Sequence, residues 1–154
     1  YTFMTIGAFT VVCAVERRDA FSTNLADYAG LAQRQPLWAA AMAVFMLSLT
    51  GIPPLVGFWG KLYVFRAVVE AGMSWLAIAG VINSAISAFY YLGVVVHMYM
   101  HRVPAEAEAA LGDPAPASGL AGTRTQVVLG IAALATLAFG IWPGVLADLV
   151  TQIP

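Results

Sequence analysis

The stretch "GIPPLVGFWGKLYVF", residues 51–65, sets a single lysine, Lys61, in an otherwise apolar run that opens on a Pro–Pro pair. The next acidic residue along the chain is Glu70. In a water-soluble protein such a lysine is ordinary. In a membrane helix its ammonium lies far from water, where it costs about 2.5–3.5 kcal/mol even on the most lenient scale. The fold turns on which of these environments the chain occupies.

Composition decides it. The chain is 61% hydrophobic and only 10% charged, where soluble domains carry about 25% charged residues. Its mean hydropathy is +0.83. Too little polar surface is present to cover a water-facing globule, which makes the chain an integral membrane protein. A net charge of −1 without a basic run excludes nucleic acid as a partner. The one cysteine, Cys13, cannot form an internal disulfide; set in an apolar run, it reads as a small packed residue.

Five apolar segments follow, at residues 1–15, 37–51, 54–70, 73–100 and 126–142. In lipid the backbone must satisfy its own hydrogen bonds, so these are expected to be helices. A β-barrel would need alternating segments of about ten residues, and runs such as "LWAAAMAVFMLSL" do not alternate. The fold class is all-α, a polytopic transmembrane bundle of about five helices. The first run starts at Tyr1 and reaches Glu16 in fewer than the roughly 20 residues a span requires. No basic stretch precedes it, so it does not read as a signal peptide. It reads as the later part of a membrane helix, and the chain as the C-terminal part of a longer polypeptide.

Between segments, "NLADYAGLA" reads as a short interfacial helix capped by Asn24. The Pro-, Ala- and Gly-rich residues 102–125 read as a solvent-exposed linker holding a short helical piece, "PAEAEAAL". In the tail, residues 144–153, Val145, Leu146, Leu149 and Val150 share one face, the pattern of an amphipathic surface helix.

Pro53 and Pro54 cannot continue a helix and Gly51 suits its end, so a tight turn between two spans is expected here, with a single long kinked helix as the alternative. Gly57 and Gly60 allow either a helix break or close packing. With Pro54 near the membrane edge, Lys61 is about 10 Å deeper at 1.5 Å per residue, inside a hydrocarbon core of about 30 Å. Snorkelling is strained at that depth and suits Arg66 and Glu70 better; they are four apart and able to pair. Lys61 is therefore expected to face the protein interior, where a buried lysine can gain and lose a proton as a relay requires.

Asn83, Ser87, Tyr90, His97 and His101 recur at helical spacing and form a polar stripe. If the chain turns back at the Pro–Pro pair, Ser87 comes near the depth of Lys61, and a path from His97 through Tyr90 to Lys61 is possible. The competing reading is a stripe that only hydrogen-bonds between helices. Met98 and Met100 read as packing residues, and no residue set has metal-ligand spacing. No nucleotide loop, nucleophile-and-base set or cofactor-binding motif is present.

The residues "DYAGLAQRQP", "FMLSLTGIPPLVGFWGKLYVF" and "NSAISAFYYLGVVVHMYM", with "GAFTVV" upstream, resemble the C-terminal third of the subunit N family of proton-pumping NADH:quinone oxidoreductase, respiratory complex I. The segment joining GIPP to GFxGK is the specific part, and its lysine favours subunit N over subunit M, which commonly has glutamate there. The resemblance implies an antiporter-like membrane subunit in which the helix matching 54–70 is discontinuous around Gly57–Lys61. Its lysine, here Lys61, belongs to the proton channel. It also implies other complex I membrane subunits as partners and no cofactor in this chain, with NAD, FMN, iron–sulfur clusters and quinone elsewhere in the assembly. The location implied is a multi-pass place in a bacterial inner membrane. Gly93 departs from the pattern, since the family often has a basic residue there.

Two functions stay open at this point: a proton-translocating subunit of the redox-driven complex, or a subunit of a multi-subunit cation/proton antiporter of related fold. A scaffold in which Lys61 is only a packing anchor is a third. Arginine counts weakly favour a cytoplasmic first connection, whereas the family resemblance implies a cytoplasmic linker.

Overall fold

In the computed structural model of the chain, residues 1–15, 25–101 and 123–144 are described. They contain six α-helices: α1 (Thr2–Val15), α2 (Leu31–Arg34), α3 (Pro36–Thr50), α4 (Val56–Glu70), α5 (Ser74–Met100) and α6 (Thr123–Ile141). A single 3₁₀ turn, Leu25–Tyr28, precedes α2. The chain is an all-helical membrane bundle. Asn24, the "PAEAEAAL" piece and the tail residues 145–153 lie outside the described residues, and residues 123–125, read above as linker, already belong to α6.

The helix ends follow from local chemistry. Pro36 opens α3 at its first turn, where a missing N–H is harmless. Gly51 closes it at φ 91°, a left-handed conformation that an L side chain resists. Its N–H donates to Ser48 O at 3.0 Å, and the next N–H, of Ile52, donates to Leu47 O at 3.2 Å. This is a Schellman ending. Gly72 ends α4 the same way at φ 74°, with Gly72 N–H on Val69 O and Met73 N–H on Val68 O. Between α3 and α4, residues 51–55 are non-helical and the Pro53–Pro54 peptide is cis.

The 27 residues of α5 span about 40 Å, enough to cross the hydrocarbon core. At 15 residues each, α3 and α4 reach only about 22 Å. The N-terminal half of α5 packs on α4, where Phe65 lies against Gly80. Its C-terminal half, through Tyr91, Val94, Val95 and the fully buried Met98, joins the core formed with Met42, Phe45 and Met46 of α3. The two short helices are thus laid consecutively along one long helix. The expected tight turn between two separate spans is corrected by this arrangement. Two full spans would place Met98 at the wrong end of α3.

The core sits where α1, α3 and α6 meet. Phe45 is fully buried with its ring against Gly7, where even one added methyl would collide with it. Helix α6 runs beside α1 and touches the 51–55 interruption through Gly140, where an added Cβ would meet Pro54 O, and Leu55 Cα at 2.8 Å. Cys13, expected to be packed, is exposed and borders an apolar groove between α1 and α6.

Candidate functional site

The interruption of α3 and α4 leaves two helix ends to satisfy, and each helix supplies a group to the other. The Schellman ending takes the carbonyls of Leu47 and Ser48 and leaves that of Thr50 without a backbone donor. Lys61, in the second turn of α4, reaches back and donates from Nζ to Thr50 O at 2.8 Å. Its stem lies along Gly51, where an added Cβ would be 3.0 Å from Lys61 Cδ. The C-terminal end of a helix carries partial negative charge, so an ammonium is favoured there.

At the other end, α4 starts after Leu55, which has no side chain able to cap. Ser48 of α3 takes that role. Gly57 N–H donates to Ser48 Oγ at 3.2 Å, and the Ser48 hydroxyl donates to Met4 Sδ of α1 at 2.8 Å. Ser48 is fully buried. An added Cβ at Gly57 would collide with the Ser48 carbonyl, so only glycine permits this approach. On the far side Trp59 Nε1–H donates to Gly140 O at 2.8 Å, tying α4 to α6.

Helix α4 is unbroken from Val56 to Glu70. The discontinuity expected around Gly57–Lys61 is therefore corrected: it lies at residues 51–55, and Gly57 serves close packing. Gly60 is exposed with open space at its Cβ position, so it makes neither a break nor a close contact among the described residues. Lys61 lies with Gly57, Phe65 and Val68 on the face of α4 that is at least partly buried. Arg66 and Glu70 form an exposed pair at 2.7 Å.

The structure does not bring the polar stripe of α5 onto Lys61. The inward face of α5 runs through Ala77, Gly80, Ser84, Ser87, Ala88, Tyr91 and Met98. Ser87 belongs to it, donating to Ser84 O at 2.9 Å. Asn83 and Tyr90 are exposed on the flank. His97 is half-buried, shares a 2.9 Å hydrogen bond with Gly93 O, and stacks on His101 with ring centroids 4.2 Å apart. Counting back along antiparallel helices from the Phe65–Gly80 contact puts Ser84, rather than Ser87, level with Lys61. His97 lies beyond the interruption, beside α3. A side chain at Gly93 would meet open space, so crowding does not explain the glycine there.

Ser48, Thr50, Trp59 and Gly140 were missed in the sequence. Thr50 acts through its backbone, which no side-chain pattern reports. Ser48 carried one signal, a hydroxyl within three residues of a helix-ending glycine.

A family model described as "NADH:quinone oxidoreductase/Mrp antiporter, TM" matches residues 1–87. NADH-quinone oxidoreductase subunit N of Myxococcus xanthus is 44% identical over 94% of this chain and 27% of its own length. That of Chloroflexus aggregans is 43% identical over 99% of this chain and 29% of its own. A chain of respiratory complex I from Thermus thermophilus, solved with bound aureothin, superposes with TM-score 0.71 and 28% identity over 94% of this chain and 31% of that chain. The chain thus spans under a third of the length of each of these relatives. A match over more than half of the chain places this chain in the NADH:quinone oxidoreductase/Mrp antiporter transmembrane family.

Proposed function

We propose that this chain forms the lysine-bearing end of a proton-translocating, antiporter-like membrane subunit within an assembly that couples NADH oxidation by quinone to proton pumping. The observation that carries the reading is the hydrogen bond from Lys61 Nζ to Thr50 O at the helix interruption. A carboxylate partner would favour the charged lysine over the neutral amine. A carbonyl accepts an N–H from the ammonium and from the neutral amine alike, so it keeps the side chain in place through both states. An ammonium has three donors, and among the described residues Lys61 uses one. The others have no hydrogen-bond partner among the described residues and can pass a proton to water or a neighbouring hydroxyl. The neutral amine then offers its lone pair to the next proton.

Ser87 is the path candidate that the inward face of α5 supports. Asn83 and Tyr90 lie on a flank and His97 lies beyond the interruption, so each needs a further element to join it to Lys61. The redox groups of the assembly belong to other subunits, and this chain's partners are the neighbouring membrane subunits and lipid, in a bacterial inner membrane. The family also includes Mrp antiporters, so a subunit of a cation/proton antiporter is the second reading; neighbouring genes for dehydrogenase or for antiporter subunits separate the two.

The test is Lys61→Ala and Lys61→Arg in the full-length subunit of the assembled complex, measured as protons moved per electron pair. Both variants are expected to assemble and to lose coupled pumping, because alanine removes the titrating group and arginine holds its proton. Wild-type pumping by Lys61→Arg overturns proton exchange at this residue.

A further inference from the structure

We propose that Ser48 is the positioning residue of the Lys61 site, a helix cap supplied by the preceding helix that sets where the lysine lands; this rests on the proton-relay reading of Lys61. Three observations converge on it. Leu55, at the position where Ser, Thr, Asp or Asn ordinarily caps a helix, has nothing to offer the free N–H groups of the first turn of α4. Ser48 Oγ receives the Gly57 N–H, the donor that a local cap would take. The hydroxyl hydrogen is spent on Met4 Sδ, which fixes the rotamer so that the oxygen lone pairs face Gly57.

The consequence reaches Lys61 through the helix. Gly57 and Lys61 are one turn apart on the same face of α4, and Ser48 and Thr50 sit in the same last turn of α3. The Ser48–Gly57 and Lys61–Thr50 bonds are thus two rungs across one gap. The residues between them, 51–55, are non-helical and cannot hold the register by themselves. Gly57 is pressed so closely on the Ser48 carbonyl that no Cβ fits, so close backbone packing makes the first rung rigid. The second depends on a long flexible side chain. Loosening the first lets α4 turn or slide, and the ammonium leaves the Thr50 carbonyl. Ser48 touches no transferred proton and acts only through Lys61.

The experiment uses the full-length subunit in its assembled complex, with Ser48→Ala, Ser48→Thr and Lys61→Ala compared. Ser48→Ala is expected to assemble at the wild-type level and to lower protons moved per electron pair, since a lost cap shifts the docked-to-undocked ratio of Lys61 on the order of fivefold. It should also move the pH midpoint of coupled pumping and speed amide exchange in the peptide covering residues 55–60. Ser48→Thr, which keeps the hydroxyl, is expected to retain the pH midpoint and the slow exchange. Wild-type pumping and pH profile in Ser48→Ala overturn the proposal, as does equal loss of assembly in the alanine and threonine variants, which would make Ser48 a packing residue. If Lys61→Ala abolishes pumping while Ser48→Ala does not, only the assignment of Ser48 fails. If Lys61→Ala pumps normally, the relay reading itself falls and takes this one with it.

Discussion

Lys61 Nζ lies 2.8 Å from the backbone carbonyl of Thr50, so the charged side chain of one helix closes the C-terminal end of the helix before it. Gly57 N–H and Ser48 Oγ make the reciprocal bond, with α3 closing the start of α4. A chain interrupted inside a membrane must satisfy both new helix ends without water, and here each end is met by the other helix. The arrangement puts a titratable group at the break by the same bond that makes the break tolerable.

Gly57 and Gly60 should respond oppositely to alanine. At Gly57 the new methyl collides with the Ser48 carbonyl, and overpacking of this kind costs about 1–3 kcal/mol. At Gly60 it meets open space and gains about 1 kcal/mol of helix propensity. Thermal unfolding of the detergent-solubilised complex should show Gly57→Ala lowered and Gly60→Ala unchanged or raised. The reverse order would mean that α4 approaches α3 on another face.

Trp59→Phe keeps the aromatic bulk and removes the Nε1–H donor to Gly140 O. The loss should be about 1 kcal/mol. Gly140→Ala should be the more damaging change, because its methyl meets the backbone of Pro54 and Leu55 at the interruption. Both are read as assembly yield on native gels. A Trp59→Phe variant with no loss would place the indole N–H in solvent.

Phe45→Ala removes a fully buried ring from the contact of α1 with α3. A cost of about 3–5 kcal/mol is expected, enough to reduce the amount of assembled protein severalfold, whereas Phe45→Leu should retain most of it. Equal yields from the two would show that the ring leaves no cavity.

The exposed Arg66–Glu70 pair should matter little. Removing both side chains together is expected to leave stability unchanged within measurement, because solvent screens an exposed pair, and to leave pumping intact. A loss of pumping in Arg66→Ala would mean that a second charge of α4 takes part in proton transfer.

Helix positions were legible in the sequence because hydropathy and helix-ending residues are local. Gly51 marks the end of α3 through the left-handed conformation it adopts. The lipid environment made Lys61 conspicuous, because charge is costly where water is absent. Periodicity also grouped Asn83, Ser87 and Tyr90 on one side of α5, but it carries no information on which side meets a neighbour. The close approach of Phe65 of α4 to Gly80 sets the side of α5 that meets α4, and Asn83 and Tyr90 are left exposed on the flank. The direction of the chain after the Pro–Pro pair was likewise beyond local reading. A proline pair ends a helix whether the chain turns back or continues, and only the packing of α5 along both α3 and α4 distinguishes the two. By itself, then, the sequence determined a membrane bundle, its helices and the one lysine that had to be explained. The tertiary structure alone decided that this lysine meets a backbone carbonyl, because a helix end exposes its acceptors only where another element is brought up to meet them.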